Sequence, residues 1–507
     1  MTSGRRANLP RENGASYGAL RGHWSELRGR YLPVAAEGSI WRYSRRGLPE
    51  DPEQGWKLHV SATILTAGRV LEAVAPLLAA RGVLYKAPAS LAELDKLNSG
   101  IFYGYSQVGK FLTVYPRTDE EAVLLAAALD RATRGIEAPS VPFDAKYRAG
   151  GCVHYRYGAF KTLDFEDAAA GRVFAIRDPE GNLVPDVRDS AAHPPWVADP
   201  FQAGRGRRAA TRKPTHLQTT VKAFRALTQR GKGGVYQALD LGVTPPRLCV
   251  LKEGRRNGEV SWDGRDGYWR VRHERRVLAA LARAGVSVPR VYGSFRAEKN
   301  YYLSVEFIEG ESFDRWLSRR RRRVSVAAAL RRGAELARLV AEIHAAGWVW
   351  RDCKPGNVII NARGELRPLD FEGACPVARP DPLPWGTHPY SPPESGDAFR
   401  GQSRLPEDLY ALGATAYFLL AGRQRDESAP VPLERMRRNV PARARRVLAR
   451  LLDPDPRRRP EAAEVARELE AAAGDLARAP SGREVDAPRE VGEPRVGADA
   501  VVDGVNR

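Results

Sequence analysis

Two short stretches in the C-terminal half of the chain decide its fold: WRDCKPGN at residues 350–357 and LDFE at residues 369–372. The first places an Asp, a Lys two residues later and an Asn five residues later on one polar loop. The second places another Asp thirteen residues after that Asn, behind an apolar run typical of a short strand. Chance rarely produces these four polar residues at this spacing, so the pattern indicates a single site that uses all of them.

A site that transfers a phosphoryl group needs a base near the acceptor hydroxyl, a cation at the γ-phosphate and oxygen ligands for Mg²⁺. Asp352 is the predicted base, and Lys354 is predicted to neutralise the γ-phosphate. Asn357 and Asp370 are the predicted ligands of Mg²⁺, a hard cation that prefers oxygen. The pattern therefore predicts phosphoryl transfer from ATP or another NTP, with Mg²⁺ as cofactor.

Residues further upstream predict the part of the site that binds the nucleotide. GKGGVY at residues 231–236 lies between two predicted strands, and glycine lets backbone N–H groups approach phosphates closely. A Lys follows an apolar strand, and a Glu 22 residues later begins a helical pattern and is placed to pair with it. Each feature alone is compatible with a plain turn or with surface charge, but their order favours a nucleotide site. The predicted ATP-binding residues are Gly231, Gly233, Gly234, Val235, Lys252 and Glu274.

In this order the residues resemble a protein kinase, over residues 218–473. GTHPYSPPE at 386–394 resembles the end of an activation segment, and DLYALG at 408–413 resembles the following helix with its buried Asp. Arg459 resembles the late Arg that pairs with Glu394. The resemblance implies a bilobal Ser/Thr kinase, and an active one because the catalytic polar residues are all kept.

Three positions depart from the kinase pattern. Trp350 stands where His is usual, and Tyr236 stands where the third Gly of the Gly-rich loop would be. Glu372 replaces the Gly of the Asp-Phe-Gly motif. Because Gly supplies backbone freedom, its loss at 372 predicts that this loop flips less readily than in other kinases.

The N-terminal half contains a strand-like stretch, QGWKLHVSAT at residues 54–63. Side chains alternate along a strand, so Lys57, His59 and Ser61 are predicted to share one face, while the apolar residues between them face the core. A lone Lys or His is ordinary surface decoration. A Lys and a His together on one strand face are less ordinary and favour a cleft with acid–base chemistry.

Further cations follow in apolar or aromatic settings, at Lys86, Lys110 and Arg156. Because unpaired buried cations are costly, a convergent cluster calls for a dianion, and a phosphomonoester fits. This half shows no matching set of metal-binding carboxylates, which favours elimination without a cofactor. Lys86 is predicted to be the base for the α-proton, because burial and neighbouring cations lower the pKa of an amine. His59 is predicted to protonate the leaving phosphate.

These residues also resemble a known family. The pair Lys57 and His59, together with Lys86, resembles the phosphothreonine lyases, and the whole stretch is similar to the lyase domain of class III and class IV lanthipeptide synthetases. The resemblance implies that Lys57 contacts both phosphate and enolate, with Lys110 and Arg156 as further phosphate ligands. Those synthetases end in a cyclase domain that the sequence does not show after its kinase segment, which leaves open a separate cyclase, uncyclised dehydroamino acids or ring closure without an enzyme.

We therefore expect an α+β multidomain chain: a phosphothreonine-lyase-like α+β domain followed by a bilobal protein-kinase-like domain. The predicted boundaries are an irregular N-terminus at 1–20, the lyase-like domain at 21–202, a basic linker at 203–217, the kinase-like domain at 218–473 and a disordered tail at 474–507.

Composition sets further limits. The 507 residues carry a formal net charge of +20, and 43% are hydrophobic, enough for packed cores. The four cysteines show no paired spacing, which fits a reducing compartment, and no apolar run predicts a membrane span or a signal peptide. We expect a cytoplasmic enzyme that binds neither membrane nor nucleic acid.

The favoured function is dehydration of Ser and Thr in a ribosomal precursor peptide, by phosphorylation and then β-elimination of phosphate. Two other classes stay open at this point. One is a regulatory Ser/Thr kinase whose N-terminal domain only binds phosphopeptides, and the other is a non-catalytic scaffold. The intact catalytic residues weigh against the scaffold.

Overall fold

The computed structural model describes residues 15–35, 38–167, 171–189, 193–201, 216–320, 324–396, 403–426, 437 and 439–478. Within these residues the chain mixes helix and sheet, as predicted, and forms an N-terminal α+β domain and a C-terminal protein kinase domain.

The N-terminal domain is built on a seven-stranded antiparallel sheet. Its strands run in the spatial order β1-β2-β4-β5-β3-β7-β6. Three further strands, in the order β10-β9-β8, form a small second sheet. The strands are β1 (Val34–Ala35), β2 (Trp41–Tyr43), β3 (Gln54–Val60), β4 (Leu84–Pro88), β5 (Leu112–Tyr115), β6 (Ala145–Lys146), β7 (Val153–Ala159), β8 (Asp164–Asp167), β9 (Gly171–Arg177) and β10 (Leu183–Pro185).

Four helices belong to this domain, and their apolar faces pack with one face of the large sheet into a single core. On β3, Leu58 and Val60 are fully buried in that core, as the alternation predicted. The intervening Lys57 and His59 point to the opposite face. The helices are α1 (Ala15–Tyr31), α2 (Ala67–Ala79), α3 (Leu91–Ser99) and α4 (Asp119–Ala132).

The kinase domain begins with a five-stranded antiparallel sheet in the order β11-β12-β13-β15-β14, and helix α6 packs against it. Together these elements form the N-terminal lobe. They are α5 (His216–Thr220), β11 (Val221–Arg230), β12 (Gly233–Asp240), β13 (Arg247–Gly254), α6 (Gly267–Arg283), β14 (Val291–Ala297) and β15 (Asn300–Glu306).

The second lobe is mainly helical, and its core is built around the long helix α8, which packs on α9 and α11. Short strand pairs carry the loops of the site. The elements are β16 (Gly310–Ser312), α7 (Phe313–Arg320), α8 (Val326–Ala345), β17 (Trp348–Val349), β18 (Val358–Asn361), β19 (Leu366–Pro368), β20 (Cys375–Pro376), α9 (Leu405–Ala421), α10 (Ala442–Leu451) and α11 (Ala462–Arg478).

Three predicted boundaries are wrong by a few residues. Residues 15–20, predicted to be irregular, begin helix α1, whose Trp24 and Leu27 are anchored in the core. Residues 216–217, assigned to the linker, begin α5, and residues 474–478, assigned to the tail, end α11. The rest of the predicted linker and tail lies outside the described residues. Among those described, no helix combines the length and apolar character that a membrane span requires.

Candidate active sites

The loop between β17 and β18 gathers its polar residues around one carboxylate. The Lys354 ammonium lies 2.7 Å from Oδ2 of Asp352, and the Asn357 amide donates to the same oxygen at 2.7 Å. The hydroxyl of Thr387 donates to the other oxygen, Oδ1, at 2.9 Å, and accepts from Lys354 at 2.7 Å. Sequence reasoning did not single out Thr387, which links Asp352 and Lys354 from the activation segment.

Asp370 follows strand β19 with a backbone φ of +62°, a left-handed conformation that is uncommon outside glycine. Burial alone would raise the pKa of this carboxyl, but Lys252 and Lys232 together lower it, so the group is ionised. Its Oδ1 is buried and receives no hydrogen bond from the described residues. The Asn357 amide nitrogen is used in bonds to Asp352, which leaves the amide oxygen for a ligand. An orphaned carboxylate oxygen beside an amide oxygen fits Mg²⁺, which takes its other ligands from phosphates and water.

Lys252 on β13 forms a paired contact with helix α6. Its Nζ lies 2.6 and 2.8 Å from the two carboxylate oxygens of Glu274 and 3.9 Å from Asp370. The backbone N–H of Phe371 also donates to Glu274, at 3.2 Å. The helix, the sheet and the segment that follows β19 are thus tied at one point, which is the arrangement that phosphoryl transfer requires of a kinase.

The Trp at the usual His position takes over a tethering role. Trp350 is fully buried, and its indole N–H donates to the carbonyl oxygens of Leu369 and Asp370 at 3.1 and 3.0 Å. Its ring stacks on Phe371 with centroids 5.6 Å apart. Its backbone N–H donates to the buried carboxylate of Asp408 at 2.7 Å, so the predicted buried Asp on α9 supports the catalytic loop.

The kinase domain contains two further ion pairs, one expected from the sequence and one not. Arg459 forms a two-pronged ion pair with Glu394, at 2.5 and 2.9 Å, as predicted. Glu372, the residue that replaces Gly, forms an ion pair with Lys232 of the Gly-rich turn. This link between the turn and the metal-binding segment has no counterpart in the predictions.

The two lobes enclose a cavity of 660 Å³ that brings most of the predicted nucleotide site together. Gly231 is the exception, because its N–H donates instead to the carbonyl oxygen of Ser99 in the N-terminal domain, at 2.9 Å. The predicted residues on the cavity wall are Gly233, Gly234, Val235, Lys252, Glu274, Lys354, Asn357 and Asp370.

A second, smaller cavity of 180 Å³ lies on the open face of the seven-stranded sheet. Strand register explains how it forms. Lys57 on β3 is opposite Arg156 on β7, while His59 on β3 and Lys86 on β4 flank the same residue of β5, Thr113. Side chains at these paired positions project from the same face of the sheet. The predicted residues in its wall are Lys57, His59, Lys86, Lys110 and Arg156. Ser61, predicted to share this face, instead donates its hydroxyl to the Pro139 carbonyl at 2.7 Å.

Lys86 lies in an aromatic enclosure, with its Nζ 4.5 Å from the centre of the Trp41 ring and farther from the rings of Tyr43 and Tyr115, at 5.9 and 6.0 Å. Burial, with the charges of Arg188 and Lys110, lowers the pKa of Lys86 to about 8. A lysine with such a pKa is partly neutral near physiological pH, and a neutral amine can act as a base.

His59 has a buried acidic partner that the sequence did not reveal. Its Nδ1 lies 2.5 Å from Oδ2 of Asp144, and Lys110 lies 3.7 Å from the other carboxylate oxygen. Burial lowers the pKa of His59 to about 4, against the opposing effect of Asp144. A bound phosphate would add negative charge beside the ring and raise this pKa, which favours the imidazolium.

A carboxylate also organises the phosphate-facing arginines. Asp186 accepts from Arg156 at 2.5 Å and from Arg188 at 3.1 Å. The predicted cations therefore lie beside two buried carboxylates, Asp144 and Asp186, which the sequence did not reveal. No group of three or more His, Cys, Asp or Glu residues in the described part of the chain is arranged to hold a metal. The cavity residues that sequence reasoning missed include Trp41, Gln107, Thr113, Tyr115, Phe174 and Arg188.

Comparison with known proteins matches both domains. Residues 33–213 match the family described as RamC, N-terminal domain, and residues 233–469 match the protein kinase domain.

The chain is 32% identical to a probable SapB synthase of Streptomyces coelicolor over 352 residues, which is 67% of this chain and 37% of that protein. It is 31% identical over 210 residues to the serine/threonine-protein kinase PknA of Mycobacterium tuberculosis, covering 39% of this chain and 46% of the kinase. It is 26% identical over 302 residues to serine/threonine-protein kinase F of Synechocystis, covering 55% and 60%. The chain thus spans less than half the length of the first two relatives.

Proposed function

Because the chain belongs to the family of class III and class IV lanthipeptide synthetases, joining a RamC N-terminal domain to a protein kinase domain, we propose that it dehydrates Ser and Thr residues of a ribosomal precursor peptide in two steps. The kinase domain phosphorylates the side-chain hydroxyl, and the N-terminal domain eliminates the phosphate. A separate cyclase is one proposed partner for a later step of thioether formation; the alternatives are uncyclised dehydroamino acids and ring closure without an enzyme.

In the first step Asp352 accepts the proton of the substrate hydroxyl as its oxygen attacks the γ-phosphorus of ATP. Lys354, held 2.7 Å from Asp352, is placed to neutralise the transferring phosphoryl group. Asn357 and Asp370 would hold Mg²⁺, which neutralises phosphate charge when bound. Lys252, fixed by Glu274, positions the remaining phosphates.

In the second step the neutral amine of Lys86 takes the α-proton of the phosphorylated residue. The electrons of the Cα–H bond form the Cα=Cβ double bond, and the Cβ–O bond breaks. The leaving phosphate takes a proton from the imidazolium of His59. Lys86 ends as an ammonium and His59 as a neutral ring. Lys86 gains the proton that the substrate carbon loses, and the leaving phosphate gains the proton that His59 loses. Lys57, Lys110, Arg156 and Arg188 hold the phosphate and the enolate-like charge.

The observation that carries this proposal is the cavity on the open face of the N-terminal sheet. Among the described residues, six lysine and arginine side chains line a space large enough for a phosphomonoester. Burial lowers the pKa of three of them, Lys57, Lys86 and Lys110, and that of Lys86 falls to about 8. A domain that only bound phosphopeptides would need the cations but not a lysine poised to lose its proton.

Incubation of the full chain with ATP, Mg²⁺ and a precursor peptide, followed by mass spectrometry, tests the proposal. Loss of one water for each modified residue is the expected result. Accumulation of peptide that only gains phosphoryl groups would instead support the alternative, a regulatory Ser/Thr kinase with an N-terminal phosphopeptide-binding domain. A peptide of unchanged mass would overturn both.

A further inference from the structure

The Gly-rich turn between β11 and β12 contacts the N-terminal domain directly. The backbone N–H of Gly231 donates to the carbonyl oxygen of Ser99 at 2.9 Å. A Cβ atom at Gly231 would lie 1.6 Å from the carbonyl oxygen of Asn98, so only glycine permits this approach. The first glycine of a loop expected to cover nucleotide phosphates therefore packs against a helix of the other domain.

The contact is explained by the way in which helix α3 ends. The last carbonyl groups of a helix have no partner within the helix and must find one outside it. Gly100 ends α3 in the left-handed conformation, with a φ of +70°, and its N–H returns to Leu97. The carbonyl of Ser99 is left facing outward, and the N–H of Gly231 satisfies it.

The side chain of Asn98 also contacts the two segments of the N-terminal domain that flank the lyase cleft. Its side chain, only 3% exposed, donates to the Ala62 carbonyl at 3.0 Å and accepts from the Gly109 N–H at 3.1 Å. Gly109 directly precedes Lys110, and Ala62 lies two residues beyond the end of the strand that carries His59. One residue thus contacts the kinase turn through its main chain and braces both sides of the lyase cleft through its side chain.

Neighbouring residues add further contacts between the N-terminal domain and the region of the Gly-rich turn. The Arg255 guanidinium lies 5.0 Å from the centre of the Tyr105 ring, and its backbone N–H donates to the Lys232 carbonyl of the Gly-rich turn at 2.8 Å. Trp262, on the same kinase loop, packs against the core of the N-terminal domain. The turn is therefore supported from the outside by residues that do not line the nucleotide cavity.

We propose that Asn98 is a positioning residue for phosphoryl transfer, which fixes the Gly-rich turn through Gly231 and couples nucleotide binding in the kinase domain to phosphate binding in the lyase cleft. The inference rests on the proposed function, since it needs a nucleotide at one site and a phosphorylated residue at the other. Asn98 lines neither cavity, so any effect of its replacement on nucleotide affinity passes through the turn.

The test uses the full chain with the substitution Asn98→Ala and measures the Kd of a non-hydrolysable ATP analogue with Mg²⁺. We expect affinity to fall about fivefold or more, the lower range of typical coupling between sites. The KM for ATP should rise while kcat at saturating ATP changes less, because Asn98 touches no reacting atom. In the wild type, a saturating phosphopeptide should tighten analogue binding, and this response should be lost in the variant.

Glu137→Gln is the matched control. It removes an exposed ion pair, 3.9 Å long, between the same two domains at Arg256, and exposed pairs contribute little. Its nucleotide affinity should equal that of the wild type. Tyr105→Leu removes the ring beneath Arg255 and should also weaken analogue binding. This second variant tests the proposal if the Asn98→Ala variant does not fold.

The outcomes separate the two proposals. Wild-type affinity in folded Asn98→Ala, or in Tyr105→Leu should Asn98→Ala fail to fold, overturns the coupling and leaves the proposed function intact. Failure of the wild type to bind the nucleotide analogue overturns the proposed function, and the coupling with it. Amide exchange at Gly231 gives an independent reading, since its N–H should exchange slowly in the wild type and faster in Asn98→Ala.

Discussion

Nδ1 of His59 lies 2.5 Å from Oδ2 of Asp144, and both side chains are buried at the edge of the phosphate-binding cleft. A carboxylate on Nδ1 directs the other ring nitrogen, Nε2, toward the cleft and stabilises the imidazolium. The pair therefore orients His59, and Asp144 opposes the effect of burial on the pKa of the ring, as the proposed protonation of a leaving phosphate requires.

The substitution Asp144→Asn tests this relationship. Because the amide has no negative charge, it stabilises the imidazolium less, and we expect elimination from a phosphopeptide to slow by a factor on the order of 10². Phosphorylation should continue at the wild-type rate, so mass spectrometry of the complete reaction should show phosphorylated peptide accumulating. Wild-type dehydration by this variant would show that His59 acts without Asp144.

Replacement of Lys86 should stop elimination more completely. Lys86→Ala removes the proposed base, and we expect a loss of about 10² to 10⁴ in the elimination rate. Lys86→Arg is the matched variant, since it keeps the positive charge but does not lose its proton in this pH range. Both variants should phosphorylate the peptide and leave it phosphorylated. Complete dehydration by either one would remove Lys86 from this role.

The pH dependence of elimination follows from the same lysine. The pKa of Lys86 is lowered to about 8, so its neutral, basic form becomes more abundant as pH rises and dominates above that value. At saturating phosphopeptide, where the bound phosphate keeps His59 protonated, we expect the rate of phosphate release to rise with pH, to reach half its limit near pH 8 and to level off about one unit above it. A flat profile between pH 6 and about 9 would argue against Lys86 as the base.

Patterns among neighbouring residues predicted most of the side chains that the structure brings together at the two cavities. The alternation of Lys57 and His59 with Leu58 and Val60 was enough to predict which residues line the cleft, because side-chain direction along a strand depends only on neighbouring residues. The catalytic loop was predictable for the same reason, since its acid, lysine and amide lie within six residues.

Contacts between distant segments were not predictable in this way. Asp144 is 85 residues from His59 and lies in a loop with no periodic pattern, so nothing near it in the sequence marks it as a partner. Arg188 reaches the cleft only because Asp186 folds back onto Arg156. The role of Gly231 was also misjudged, because its approach to Asn98 depends on how the two domains pack.

Chelation should separate the two proposed steps. With EDTA, phosphorylation of the precursor peptide should stop, because Asp370 and Asn357 need a metal to act on ATP. Elimination from a pre-phosphorylated peptide, without ATP, should continue at an unchanged rate. Asp370→Ala should reproduce the effect of EDTA on phosphorylation alone. Loss of elimination on chelation would contradict a cofactor-free lyase.

Substitution of Trp350 tests what this residue does at the position where kinases usually have His. Trp350→Phe keeps an aromatic ring to stack on Phe371 but removes the indole N–H that donates to the carbonyls of Leu369 and Asp370. Because these carbonyls lose a buried donor, we expect the free energy of unfolding of the kinase domain to fall by about 1–3 kcal/mol.

The same change should weaken phosphorylation selectively. Without the tether, Asp370 is held less firmly, so the Mg²⁺ concentration needed for half-maximal phosphorylation should rise while elimination from a pre-phosphorylated peptide stays unchanged. Trp348→Phe is the control, since that ring is two residues away and only partly buried. Equal Mg²⁺ dependence in the wild type and Trp350→Phe, measured at a temperature where both are folded, would show that the tether does not position the metal ligand.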